Sequence, residues 1–358
     1  MKAALLTGIE KIEICDIPWP TLQKPDDVII QVKAVGICGS DIHYYTRGGI
    51  GEQRVVYPFC LGHECAGEVM AVGPGVPDES RFKPGELVVI DPAVACGTCR
   101  QCKQRRFNTC ENLLFLGCPG QMPGALCEYL TMPASCCYKV PPTLSPAQAI
   151  LAEPLSIALH ALTFLRNPTD AEVAVLGCGP IGLSVILAAK HMGVLSIYAT
   201  DKIDSRVKAA SLLGITAVGN PAQEDIVEKY SAGEPGGFDA VIECCGQQEA
   251  IDQGIQLLTP GGQLIIVGIP ETKQIDFDPH LLRRKEISIH NIRRQNNCMA
   301  RAIELLAGNS AAFDFMITHR YRLDEIEAAF RLVKNYDDGV IKAIVNPADG
   351  PSGERRNA

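Results

Sequence analysis

The chain has 358 residues, 47% hydrophobic and 21% charged, with a formal net charge of −8. Its length exceeds the roughly 250–300 residues at which single cores stop growing, so two domains of ordinary globular composition are expected. The acidic balance excludes nucleic acid and anionic membranes as expected partners, and no apolar run approaches the ~20 residues of a bilayer span. Residues 1–6 lead directly into strand-like sequence, not into the apolar core of a secretory leader. Sixteen cysteines without an export signal predict a reducing, cytoplasmic setting in which thiols serve metals and cores.

Up to about residue 150 the chain is dense in Gly, Pro and short β-rich runs. Val28-Ile29-Ile30-Gln31-Val32 and Leu87-Val88-Val89-Ile90 read as buried strands, and Gly73-Pro74-Gly75 and Lys83-Pro84-Gly85 as turns. Helical sequence begins near Ala147. At Ala171 the texture changes to strand–helix alternation, with strands predicted at 171–176, 195–200, 240–243 and 264–267. Such alternation gives a parallel, doubly wound sheet. From about 295 the chain turns helical (300–306 and 326–333) and closes with a strand at 340–345 that can return to the first domain; the polar tail from Pro347 is expected to fray. The fold class is therefore α/β, with an irregular β-rich domain of residues 1–150 and 295–358 and a dinucleotide-binding domain of residues 151–294.

Cys96, Cys99 and Cys102 stand two residues apart, and Cys110 follows after seven more. Four thiols so spaced predict a closed, tetrahedral Zn²⁺ site with no open position, a structural metal. The gap of seven and the following Glu111 do not fit the ferredoxin-type iron–sulfur run. A disulfide knot suits small secreted chains, and a nucleic-acid zinc ribbon calls for a basic surround.

Gly177-Cys178-Gly179-Pro180-Ile181-Gly182 follows a predicted strand and opens a predicted helix, the setting of a dinucleotide-binding turn. Its glycines allow a tight turn, approach of a pyrophosphate, and close helix–strand packing. Asp201 lies 19 residues beyond Gly182, where a carboxylate can take both ribose hydroxyls and repel a 2′-phosphate, which points to NAD. The alternative is a structural glycine turn with Asp201 as a helix cap.

Cys38, His63 and Glu64 complete the sequence-level metal candidates. Singly they read as a core thiol, a core imidazole and a solvated charge; together they suit Zn²⁺ with a position left open.

These stretches resemble the zinc-containing medium-chain dehydrogenases, and among them the sorbitol-type polyol dehydrogenases. The resemblance covers nearly the whole chain and is carried by Cys38-Gly39-Ser40-Asp41-Ile42-His43-Tyr44, Leu61-Gly62-His63-Glu64, the four-cysteine lobe, Ala152-Glu153-Pro154-Leu155-Ser156, the glycine turn and Thr318-His319-Arg320. It implies a GroES-like catalytic domain, a Rossmann domain, NAD and two zinc ions per chain. The catalytic zinc would be held by Cys38 and His63, with Glu64 or Glu153 as the oxygen ligand. One thiolate and one carboxylate neutralise Zn²⁺, whereas two carboxylates leave the centre at −1 and weaken its Lewis acidity. Ser40 would take up the alcohol proton and His43 pass it to solvent, with Asp41 accepting the free N–H of His63. Pro180, Ile181, Arg206, Val267, Gly268 and Ile269 are placed beside the cofactor. Tyr44, Tyr45 and Arg47 could bond substrate hydroxyls. Arg293 and Arg294 stand where sorbitol-type enzymes carry an Arg-Tyr pair; the tyrosine is absent here, and the two arginines read first as a solvated basic turn, with an acidic sugar such as an aldonate as the functional alternative. A small-molecule polyol or sugar-derived alcohol is the expected substrate, in a tetramer or dimer. The alternatives are an amino-alcohol (threonine-type) or simple secondary alcohol dehydrogenase, and a non-catalytic dinucleotide-binding protein.

Overall fold

The computed structural model describes residues 1–76 and 82–348 and divides into two units, Met1–Glu153 with Met299–Ala358, and Pro154–Cys298. The boundaries expected at 150 and 294 fall at 153 and 298, so Glu153 closes the first unit. The polar tail lies, from residue 349 on, outside the described residues.

In the first unit the strand Asp27–Gly36 is the hub of a seven-stranded sheet. Its apolar alternation buries Val28, Ile30, Val32 and Ala34 at 1% exposure or less, and each large side chain so buried contributes about 1.5–3 kcal/mol. Antiparallel Glu64–Val72 lies along one edge, placing Gly36 opposite Glu64. On the other edge Tyr129–Pro133 pairs with the first half of the hub and Lys342–Asn346 with its end, where Ile344 faces Gly36. Lys342–Asn346 is also parallel to Ile317–Arg322, so the C-terminal stretch does return to the first unit. The hub runs directly into the helix Gly39–Arg47, which starts at Cys38 and ends on Gly48 in the left-handed conformation.

The second unit is a six-stranded parallel sheet in the order Ala217–Gly219, Ser196–Thr200, Glu172–Leu176, Phe238–Glu243, Leu258–Ile266, Ser288–Asn291. This is the doubly wound order whose two halves diverge from the first strand. The strand predicted at 264–267 begins earlier, at Leu258, because its pairing with Phe238–Glu243 continues across a register irregularity at Pro260-Gly261-Gly262. Among the described residues no helix is long and apolar enough to cross a membrane.

Candidate active site and metal centres

In the first unit, the end of the hub strand brings together residues remote in sequence. Cys38 follows the strand, while His63 precedes and Glu64 begins the antiparallel neighbour. One ligand atom from each of Cys38, His63 and Glu64 lies within 4.8 Å of the other two. A thiolate, an imidazole and a carboxylate at such spacing fit a zinc ion. Asp41 ties the loop together. Its Oδ2 accepts the Cys38 backbone N–H (3.0 Å), and its Oδ1 accepts that of Gly62 (3.2 Å) and lies 3.5 Å from His63 Nδ1. Burial alone would lower the His63 pKa, but Asp41 and Cys38 outweigh it and hold it well above the usual imidazole value.

Glu64 is bound on its other side. Its carboxylate reaches past Gly36 and accepts two bonds from Lys342 Nζ, at 2.7 and 2.6 Å, with both side chains 1% exposed. A Cβ on Gly36 would stand 2.1 Å from Glu64 Oε2, so only glycine leaves this path open. Burial alone would depress the Lys342 pKa; the charge of Glu64 outweighs it and raises the value. Glu153 lies outside the three-ligand group but is buried close enough to feel it. Burial is the main cause that pushes its pKa up to about 7; Glu64 adds to this, while His63 and Lys342 oppose it.

Ser40 and His43 lie one turn apart on the helix Gly39–Arg47, both half-buried. Tyr44 is buried, with its hydroxyl 3.7 Å from Cys118 Sγ and 3.5 Å from Gln53 Oε1. Tyr45 is a correction to the sequence reading. Helical phase turns it away from Tyr44, so that its hydroxyl donates to the Glu10 carbonyl (3.1 Å) and its ring packs 5.1 Å from Phe330. Arg47 is exposed at the helix end.

Cys96, Cys99, Cys102 and Cys110 form a second group, with Sγ separations of 4.0 Å (Cys96 to Cys102) and 3.9 Å (Cys99 to Cys110). A tetrahedron with Zn–S bonds of about 2.3 Å has edges of roughly 3.8 Å, so the four sulfurs already stand near the required corners. Backbone N–H groups of Cys96, Cys99 and Cys102 donate to the sulfurs of Cys110, Cys96 and Cys99. Hydrogen bonds from the Thr98 backbone and side chain, with the Cys99 backbone, pull the Cys96 thiol down to about 5 in the metal-free chain. Burial, then bonds to Cys99 and Cys110, pushes Cys102 up to about 12.

In the second unit, the glycine turn joins the strand Glu172–Leu176 to the helix Pro180–His191, with Gly179 as N-cap and Pro180 and Ile181 in the first turn. Gly177 adopts φ +102°, and a Cβ on Gly182 would lie only 1.7 Å from the Gly177 carbonyl oxygen. Asp201 accepts the backbone N–H of Cys178 (2.7 Å) and of Ile203 (2.8 Å), one on each oxygen, so it joins the turn to the end of the neighbouring strand. The Arg206 guanidinium lies over Gly179, 3.4 Å from where a Cβ would be. Val267 and Gly268 are half-buried and Ile269 exposed at the end of Leu258–Ile266. Arg293 is exposed and Arg294 half-buried at φ +54°, in the loop after Ser288–Asn291.

Two residues escaped the sequence reading. Lys342 carried a signal, a single charge inside the apolar run 340–345. Glu243 carried one too, ending an apolar strand. Fully buried, it accepts the N–H groups of Cys245 (2.6 Å) and Gly246 (2.5 Å), while its backbone carbonyl accepts those of Val267 and Gly268. It thus shapes two of the loops that end the parallel strands.

Comparison with known proteins agrees with both halves of this architecture. The family model "Alcohol dehydrogenase GroES-like domain" matches residues 24–142, and "Zinc-binding dehydrogenase" matches residues 180–308. The chain is 36% identical over 348 residues to sorbitol dehydrogenase of Bacillus subtilis, covering 97% of each. Among solved structures, alcohol dehydrogenase TADH from Thermus sp. ATN1 superposes with a TM-score of 0.87 at 30% identity, over 97% of this chain and 99% of that one. A putative zinc-binding dehydrogenase from Sinorhizobium meliloti, solved with NADP, gives 0.86 at 31%, with the same coverage. With its GroES-like and Rossmann domains, its dinucleotide turn and its two clusters fit for zinc, the chain belongs to the zinc-containing medium-chain alcohol and polyol dehydrogenases.

Proposed function

We propose that the protein oxidises a secondary hydroxyl of a polyol or sugar-derived alcohol to a ketone, passing the hydride to NAD. The observation that carries this reading is the meeting of Cys38, His63 and Glu64 within 4.8 Å, beside a helix that presents Ser40 and His43. Zinc, when bound there, supplies Lewis acidity that eases loss of the alcohol proton. Cys38 and His63 would hold the metal, with Glu64 or Glu153 as its oxygen partner. Asp41 fixes the His63 ring by facing Nδ1, which leaves Nε2 for the metal. Ser40 Oγ takes the alcohol proton and His43 delivers it towards solvent. Tyr44 offers its hydroxyl to the substrate chain. NAD, when bound, would supply the hydride acceptor, so that alcohol and NAD⁺ would yield ketone, NADH and a proton.

The cofactor pyrophosphate is expected on the N–H groups that open the helix Pro180–His191. Asp201 keeps unused lone pairs on both oxygens for the ribose hydroxyls, and its charge disfavours a 2′-phosphate. Arg206, Val267, Gly268 and Ile269 complete this side. The 36% identity with a sorbitol dehydrogenase and the presence of Glu153 support a polyol over an amino alcohol. Arg293 and Arg294 would suit a sugar acid.

The substrate class is tested by incubating the zinc-loaded chain with C4–C6 polyols and sugar acids, each with NAD and with NADP. Reduction of NAD by at least one polyol or sugar acid is expected. Silence across the panel at full zinc occupancy would move the substrate to another class, and a preference for NADP would remove Asp201 from its role. Ser40→Ala should lower turnover by roughly 10²-fold while zinc content and NADH binding stay unchanged. Undiminished turnover would take Ser40 out of the proton path.

A further inference from the structure

Lys342 occupies the least expected position in the catalytic unit. It is a lysine at 1% exposure, at the start of a central strand, and its ammonium has three protons. All three find acceptors inside the protein: both Glu64 oxygens, at 2.7 and 2.6 Å, and the Ile37 carbonyl at 3.2 Å. The surroundings are shaped for this contact. Gly36 stands between the two strands, and any side chain there would fill the channel through which Glu64 reaches across. A buried pair of this kind is weak evidence for stability, because desolvation offsets most of its attraction. Its location beside a metal site suggests a different role.

The formal charges make that role specific. Cys38 as a thiolate and Glu64 as a carboxylate supply two anionic groups, Asp41 and Glu153 are buried nearby, and Lys342 places a cation directly on Glu64. Without Lys342 the same set gains one unit of negative charge, which weakens the Lewis acidity of the occupied centre. We infer that Lys342 is a positioning residue and counter-cation of the metal centre: it holds Glu64 in place and offsets the charge of this buried carboxylate beside the zinc. This rests on the reading of Cys38, His63 and Glu64 as a zinc centre.

The test is the zinc affinity of this centre in the full chain, by chelator competition with the four-cysteine site loaded in every variant. A pH of about 8 keeps protons from competing for a carboxylate. Glu64→Gln should weaken binding by at least about tenfold and Lys342→Met tighten it by at least about tenfold, from charge alone. The double variant Glu64→Gln/Lys342→Met removes both charges and should bind zinc at least about tenfold more tightly than Glu64→Gln alone. A double variant as weak as Glu64→Gln alone would overturn the inference, because removing the Lys342 charge would then leave zinc affinity untouched. Unchanged affinities with lowered melting temperatures would also overturn it, leaving a fold contact only. If Lys342→Met does not fold, the comparison of Glu64→Gln with the double variant still decides. A native chain that binds one zinc instead of two would instead defeat the zinc-centre reading itself.

Discussion

At the scale of single residues, the chemistry follows from how each titratable group is surrounded. Cys96 and Cys102 are one residue type with opposite protonation tendencies, because hydrogen-bond donors gather on Cys96 whereas burial dominates at Cys102. In the chelator-stripped chain at neutral pH, Cys96, at about 5, is a thiolate and Cys102, at about 12, a thiol. Iodoacetamide should therefore alkylate Cys96 first, as read by peptide mass mapping, and zinc should protect both. Equal rates would contradict the hydrogen-bond pattern. This site was legible in the sequence because its ligands lie within fifteen positions and need only a local loop. The Lys342–Glu64 pair was not, because its partners are 278 residues apart and a lone lysine in an apolar strand carries no partner information. Tyr45 was misread for a smaller reason. Adjacency to Tyr44 in sequence says nothing about direction on a helix, where neighbours diverge by about 100°.

At the scale of elements, turns do more than strands to place the site. The helix Pro180–His191 is drawn onto its preceding strand because Gly182 lets the Gly177 carbonyl pass without a Cβ in the way. Gly182→Ala should cost about 2 kcal/mol through overpacking and abolish NADH binding, while the zinc content of the other unit is retained. Calorimetry, NADH fluorescence titration and metal analysis would check all three, and native NADH affinity would show that the cofactor does not dock on this turn. The glycine pattern was legible because its spacing reports backbone geometry directly. The helix Gly39–Arg47 was less so: nine residues with a cysteine at the cap carry little periodic signal. Its importance comes from attachment to the hub strand, which fixes Cys38 beside Gly36 and therefore beside Glu64.

At the scale of the whole molecule, the two-unit division was readable from a change of texture, from short β runs to strand–helix alternation. The exact junctions were not, since the helix Ala152–Leu162 runs across the first of them and offers no break in composition. The first unit is discontinuous, and the second is contained within a single stretch of chain. During synthesis the ribosome delivers Cys38, His63 and Glu64 early, then the entire parallel-sheet unit, and only afterwards the strand that brings Lys342. Until that strand pairs beside Gly36, Glu64 lacks its Lys342 partner, so the nascent chain makes this buried pair as one of its last long-range contacts.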